Sequence, residues 1–296
     1  MRLVAKGVMG GHILITGGTG FVGGYLANGL IKAGYRVTMV SRSVDSNDNH
    51  ICADLTNEQT VIDLAKKLSS VDTIIHCAAI AHGEKPSKNY STADFNTLIS
   101  GNIIKAFDRR QLRWIFMSSI SVYGEVHLES SIPLTLSPKP ADSYGVGKFR
   151  DEGLFISNCS HLSILRLMPV YDSQNLHDIK KRVFLPNTKV KIMIRPAPFY
   201  SLCNVDEVLT SVQKCMNYGS GQRIIQVGDP QPISQNDLVS WFSGRAIYVP
   251  QLLFRILVFL LPKKLSAFKA IGFMLKKLGF NNIYEIGCID LKSKKM

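Results

Sequence analysis

A chain of 296 residues with 46% hydrophobic and 19% charged side chains has ample material for a core, and this excludes a disordered or low-complexity protein. The formal charge of +13 leaves four readings open: nucleic acid, an anionic membrane surface, an anionic substrate, or simply a solvated basic face. The six cysteines show no Cys/His spacing that suits a structural metal, so none is expected; with an N-terminus lacking a signal-length apolar core, they read as reduced thiols of a cytoplasmic protein.

In chain order, Ile13, Leu14, Ile15 and Thr16 read as a short buried strand. Glycines follow at 17, 18, 20 and 23, and an apolar helical run extends from Phe21 to Ile31. Strand, glycine turn and helix in that order make a dinucleotide site: the turn needs free φ, the backbone must approach a pyrophosphate, and the helix N-terminus offers unpaired N–H groups. Gly17, Gly20, Phe21, Val22 and Gly23 are the residues expected at the phosphates. Further strands are expected at Arg36 to Val40, His50 to Ala53, Thr73 to His76, Trp114 to Met117 and Leu162 to Leu167. Helices are expected at Asn57 to Leu68, about Thr92 to Arg109, and from near Tyr144. This alternation predicts an α/β fold with a doubly wound parallel sheet of Rossmann type, whose ligands lie beyond the carboxyl ends of the strands. A first domain over residues 1–170 is expected to carry the cofactor and catalytic groups, with a smaller substrate lobe at 171–296 interleaved with it.

The residues after each strand then carry the chemistry. Ser41 and Arg42 stand where an acid usually meets a cofactor lacking a 2′-phosphate, so NADP(H) is preferred; Asp45, three residues on, keeps NAD(H) open. Asp54 and Leu55 are expected near the adenine, and Cys77, Ala78 and Ala79 where the cofactor lies against backbone. After the fifth strand come Ser119, Ser121 and Tyr123, then Tyr144 and Lys148, four apart on one helical face. A lysine ammonium beside a phenol is expected to lower the phenol's pKa, so that Tyr144 exchanges a proton with an alcohol or ketone while hydride moves to or from a nicotinamide.

TGGTGFVG at 16–23, DL at 54–55, HCAA at 76–79, SSISVYG at 118–124 and YGVGK at 144–148 together resemble the extended short-chain dehydrogenases/reductases of the nucleotide-sugar epimerase, dehydratase and reductase family. The resemblance implies Ser119, Tyr144 and Lys148 as the catalytic set, Ser121 and Tyr123 as pocket lining, and Pro169 and Val170 at the nicotinamide end. Family members that eliminate water carry an Asp-Glu pair where this chain has Ile120 and Ser121, so a dehydratase is not expected. Met168 stands where many epimerases carry asparagine, and Tyr200-Ser201-Leu202 where many carry Arg-Asp-Phe. The SL…VDEV pattern and Val249-Pro250…Leu252-Leu253 resemble a bacterial surface-polysaccharide branch of 4-keto-reductases and 4-epimerases. The family implies a nucleoside-diphosphate sugar, a reaction at its C4 and a homodimer. The first expectation is an NADP(H)-linked 4-keto-reductase, with a 4-epimerase holding NAD second and a non-catalytic dinucleotide-binding scaffold third.

Two basic stretches remain. Arg182, Lys191 and Arg195 lie where the family grips the nucleotide diphosphate. Leu252 to Leu261 is apolar but for Arg255, too short to span a bilayer, and is followed by Lys263, Lys264, Lys269, Lys276 and Lys277. An amphipathic helix pair packed on the lobe is the expectation here, with peripheral contact to an anionic membrane as the alternative. No nucleic-acid motif is visible, and none is expected to bind.

Overall fold

The computed structural model describes residues 11–43, 49–80, 90–108, 111–126, 130–260 and 266–291, with the side chains of 266–270, 273 and 274 left aside. Asp45, Arg109, Lys263 and Lys264, the N-terminal segment and the side chain of Lys269 lie outside the described parts.

The first half alternates strand and helix: β1 His12–Thr16, α1 Phe21–Lys32, β2 Arg36–Ser41, β3 His50–Cys52, α2 Glu58–Lys67, β4 Thr73–His76, α3 Thr92–Ala106, β5 Arg113–Ser119, a 3₁₀ turn Ile120–Tyr123, α4 Ser143–Asn158 and β6 His161–Leu167. β1 and β4 are buried along their whole length, as a sheet covered on both faces requires. The helices start on side-chain caps: Asn57, Ser91 and Asp142 each accept a hydrogen bond from an amide of the first turn of α2, α3 and α4.

The second half is more broken: β7 Val170–Tyr171, α5 His177–Lys180, β8 Lys191–Arg195, β9 Phe199–Tyr200, β10 Cys203–Asn204, α6 Val205–Asn217, β11 Gly221–Val227, β12 Ile233–Ser234, α7 Gln235–Ser240, β13 Ala246–Pro250, α8 Gln251–Leu260, α9 Ser266–Gly279 and β14 Gly287–Leu291. The main sheet has the order β14-β11-β6-β5-β4-β1-β2-β3, parallel except for β14, which runs antiparallel to β11. This is a Rossmann-like doubly wound sheet. Because β11 and β14 belong to it, the chain's two halves interleave. The switch between β1 and β4 opens a crevice at the strand ends.

One core lies on each face of the sheet. Ile13, Ile15, Leu26, Leu30 and Met117 pack on one face, and Leu14, Ile74, Ile99, Phe116 and Phe155 on the other. Fully burying such a side chain contributes about 1.5–3 kcal/mol. The lobe has two smaller cores. One includes Ile179, Tyr200 and Leu238, and the other Ile192, Ile194, Phe254 and Val258. Within α8 only Phe254 and Val258 are buried. The expected helix pair does pack on the lobe, with Phe254 and Val258 of α8 and Leu278 of α9 buried against Ile192 and Ile194, while the outer apolar face of α8 is exposed.

Candidate active site

A cavity of about 430 Å³ opens at the carboxyl ends of β1, β4, β5 and β6. Gly17, Gly20, Phe21, Val22 and Gly23 form one wall, with Cys77 and Ala79 beside them. Gly17 has φ of +72°, and a Cβ there would meet the Ala78 backbone at 2.8 Å. A Cβ on Gly23 would lie 2.3 Å from the Gly17 carbonyl oxygen. The α1 N-cap, Gly20, provides no side-chain cap, so the amides of the first turn are left for a ligand. These features suit the pyrophosphate of a dinucleotide.

Ser119, Ser121, Tyr144 and Lys148 line the same cavity, with Pro169 and Val170 at the end of β6. The Ser119 Oγ donates to Ser121 Oγ and accepts from the Ser121 amide, each at 3.1 Å. Lys148 is buried, and its Nζ donates to the Met117 carbonyl at 2.7 Å. It sits over the Phe116 ring at 4.8 Å and lies 5.9 Å from the Tyr144 ring centre. Burial lowers the Lys148 pKa, while Asp151 opposes this. Burial also pushes the Tyr144 phenol above its ordinary value, and Asp178, Asp142 and Asp151 add to the rise. In the ligand-free site desolvation thus raises the phenol, where the sequence led us to expect Lys148 to lower it. Cys77 is pushed up to about 12 by burial, which leaves it an inert thiol rather than a nucleophile.

Other expected site residues lie elsewhere. Tyr123 is buried, with its hydroxyl accepting from Arg166 Nη1 at 2.8 Å and donating to the Leu134 carbonyl at 3.3 Å; it is a core residue, not pocket lining. Lys191 is buried and donates to the Phe242 carbonyl at 2.6 Å, closing the segment after α7. Arg195 stacks on the Tyr248 ring at 4.2 Å on the outer face of the lobe. Neither cation lines the cavity, because β8 pairs with β13 on the far side of the lobe. Arg182 does line it, over the Tyr200 ring and donating to the Asp178 carbonyl. At the adenine side, Ser41 Oγ donates to the Ser43 carbonyl, and Asp54 accepts from the amide and hydroxyl of Thr56. The Leu55 side chain is in the core, and its carbonyl accepts from Asn102 Nδ2 at 3.0 Å. Ala78 donates its amide to Thr16 Oγ1. Arg42 is exposed just beyond β2.

Residues 13–158 match the family described as NAD dependent epimerase/dehydratase. The match covers 146 of the 296 residues, from β1 to the end of α4. UDP-arabinose 4-epimerase 1 of Arabidopsis thaliana is 29% identical over 167 residues, 49% of this chain and 38% of the relative. UDP-glucose 4-epimerase of Neisseria meningitidis serogroup C is 26% identical over 156 residues, 46% of this chain and 44% of the relative. The chain spans about two fifths of the length of these curated relatives. Among solved structures, the UDP-glucose 4-epimerase of Thermotoga maritima with UDP-glucose superimposes with a TM-score of 0.67 at 19% identity, covering 93% of this chain and 90% of that one. At that identity the likeness speaks for the fold.

Opposite the epimerase/dehydratase motifs, the lobe brings Lys181, Arg182, Lys276 and Lys277 to the cavity wall. Lys276 pairs with Glu125 at 2.5 Å, and Lys181 with Asp178 at 2.7 Å. Burial, Arg182 and Lys181 together push Lys277 down to about 8. Of these four, Arg182 was expected at the phosphates from the sequence, and Lys181 lies in the same stretch, KKRVFL at 180–185, expected to grip the diphosphate. The signal for Lys276 and Lys277 was their charge alone, which does not say whether a helix turns it toward a cavity or a solvent face.

Proposed function

We propose that this chain moves hydride at C4 of a nucleoside-diphosphate sugar, with nicotinamide dinucleotide as carrier, and that net 4-epimerisation is the outcome. The observation that carries this reading is the convergence on one cavity of the glycine turn, Ser119, Tyr144 and Lys148, and a facing wall of Lys181, Arg182 and Lys277. The 4-epimerase activities of the relatives support the C4 assignment. When bound, a nicotinamide dinucleotide supplies the hydride acceptor and donor; Gly17, Gly20, Phe21, Val22 and Gly23 would hold it. To act at C4, Tyr144 must reach its phenolate form, which the charge of Lys148 and of an oxidised nicotinamide would favour; it then takes the proton of the C4 hydroxyl as the carbinol is oxidised and returns it when the ketone is reduced. Ser119 donates to the reacting oxygen and fixes its place. Lys148, anchored on Met117, presents a positive charge behind the phenol. The cationic wall receives the diphosphate. With Ile120 and Ser121 after the strand-end hydroxyl, no acid/base pair is ready for elimination.

Two assays test this. Incubation with NAD⁺ and a UDP-hexose should yield the C4 epimer without net change in absorbance of the reduced nicotinamide. Stoichiometric oxidation of NADPH by a UDP-4-keto-6-deoxy sugar would make the chain a reductase instead. Exposed Arg42 beyond β2 favours that second reading, since a guanidinium suits a 2′-phosphate. Arg42→Asp is expected to weaken NADPH binding by roughly tenfold or more and to leave NADH nearly unchanged, by fluorescence titration. Equal losses for both would remove Arg42 from the cofactor site.

The cationic wall carries a pH signature. Lys277 is charged below about pH 8 and neutral above it. Affinity for an anionic nucleotide sugar is therefore expected to fall as pH rises from about 7 to 9, a range where an ordinary lysine stays charged. Lys277→Met should weaken binding at the lower pH and flatten the profile; a profile unchanged by the substitution would separate Lys277 from the substrate.

A further inference from the structure

The geometry points to a docking surface on the lobe for an anionic lipid bilayer, centred on α8 and independent of the reaction assigned to the cavity. α8 buries Phe254 and Val258 and turns Leu252, Leu253, Ile256, Leu257 and Leu260 to solvent, with Leu252 72% and Leu260 68% exposed. These positions lie at i, i+1, i+4, i+5 and i+8, so they form one continuous helical face. The patch extends onto β13 through Tyr248, 56% exposed, whose ring carries the Arg195 guanidinium at 4.2 Å. An exposed apolar face of this extent marks a surface that meets something.

Charge selects the occupant. No acidic residue occurs from Arg245 to Tyr284, and from Arg245 onward ten lysines and arginines stand against two acids. Arg245, Arg195 and Lys189 are exposed on the same lobe. An apolar helical face within a strongly basic segment suits the headgroup region of an anionic bilayer: the leucines enter the acyl boundary, Tyr248 sits at headgroup depth, and the cations meet phosphates. Among the described residues no helix is long and apolar enough to cross the bilayer, so α8 lies in its plane.

Co-sedimentation of the full chain with vesicles tests this. The chain is expected to sediment with vesicles of phosphatidylcholine and phosphatidylglycerol in equal parts, to bind pure phosphatidylcholine about tenfold more weakly, and to be released progressively by salt. Leu252→Glu with Leu257→Glu, both at exposed positions, should lower binding to the anionic vesicles by roughly tenfold or more while thermal unfolding and dinucleotide binding stay unchanged. Failure of the unsubstituted chain to sediment with anionic vesicles would overturn the proposal. So would equal sedimentation by the double variant. A self-association in sedimentation velocity that the double variant abolishes, with no vesicle binding, would assign the face to a second copy of the chain.

Discussion

Tyr144→Phe is expected to lower kcat for sugar interconversion by roughly 10³-fold while dinucleotide affinity stays within about twofold. The phenyl ring preserves the packing at the start of α4, where Asp142 caps the helix through the Gly145 amide at 2.8 Å. What disappears is the hydroxyl that exchanges the substrate proton. Steady-state kinetics beside a cofactor titration makes the check. A loss of cofactor affinity as large as the loss of rate would make Tyr144 a structural part of the dinucleotide site. An unchanged rate would remove it from the chemistry.

The second large effect concerns stability. Behind β5 and β6, Glu152 and Arg166 form a buried bidentate pair, at 2.7 Å from Nη2 and 3.0 Å from Nε. Ser118 donates to the same carboxylate at 2.6 Å, and Arg166 Nη1 donates to Tyr123. Glu152→Leu strands a guanidinium that is 4% exposed in its native setting. The expected cost is about 3–5 kcal/mol, or a Tm lower by roughly 10 °C. Glu152→Leu combined with Arg166→Met should recover much of it, because the uncompensated charge is then gone. Calorimetry of the single and double variants decides. A single variant within about 1 kcal/mol of the parent would mean that solvent or a neighbour relieves Arg166. Since Ser118 adjoins Ser119, the single variant is also expected to disturb the strand end that carries the proposed hydrogen-bond donor.

The parts that were legible in sequence depend on local geometry. The glycine spacing requires close approach of backbone, and Gly23 lies within reach of the Gly17 carbonyl as that spacing implies. Tyr144 and Lys148 share a face because they are four apart on α4. The alternation of short apolar strands with helices determines a parallel sheet, and strand ends determine where a ligand lies. The lobe was less legible because its contacts are made across long separations. Within KKRVFL, Lys181 and Arg182 turn to the cavity while Lys180 is exposed, a difference set by the packing of Ile179 and Val183 in the lobe core. Lys191 and Arg195 look as suitable in sequence, yet pairing of β8 with β13 carries both away. Tyr123 is diverted by Arg166, a residue 43 positions away. The apolar run of α8 reads in sequence as one of an amphipathic helix pair; which face is covered emerges only from the fold, where Phe254 and Val258 are the α8 residues that enter the lobe core.

The most direct test of hydride transfer at C4 follows a label. A UDP-hexose carrying deuterium at C4 is incubated with the chain and NAD⁺, and the sugar is read by proton NMR and mass spectrometry. Transfer of hydride to the carrier and back predicts the C4 epimer with deuterium kept at the inverted carbon. Washing out of the label into solvent would mean that C4 loses a proton rather than a hydride, and unchanged sugar would mean that this cavity does not serve C4 chemistry; either result contradicts the account.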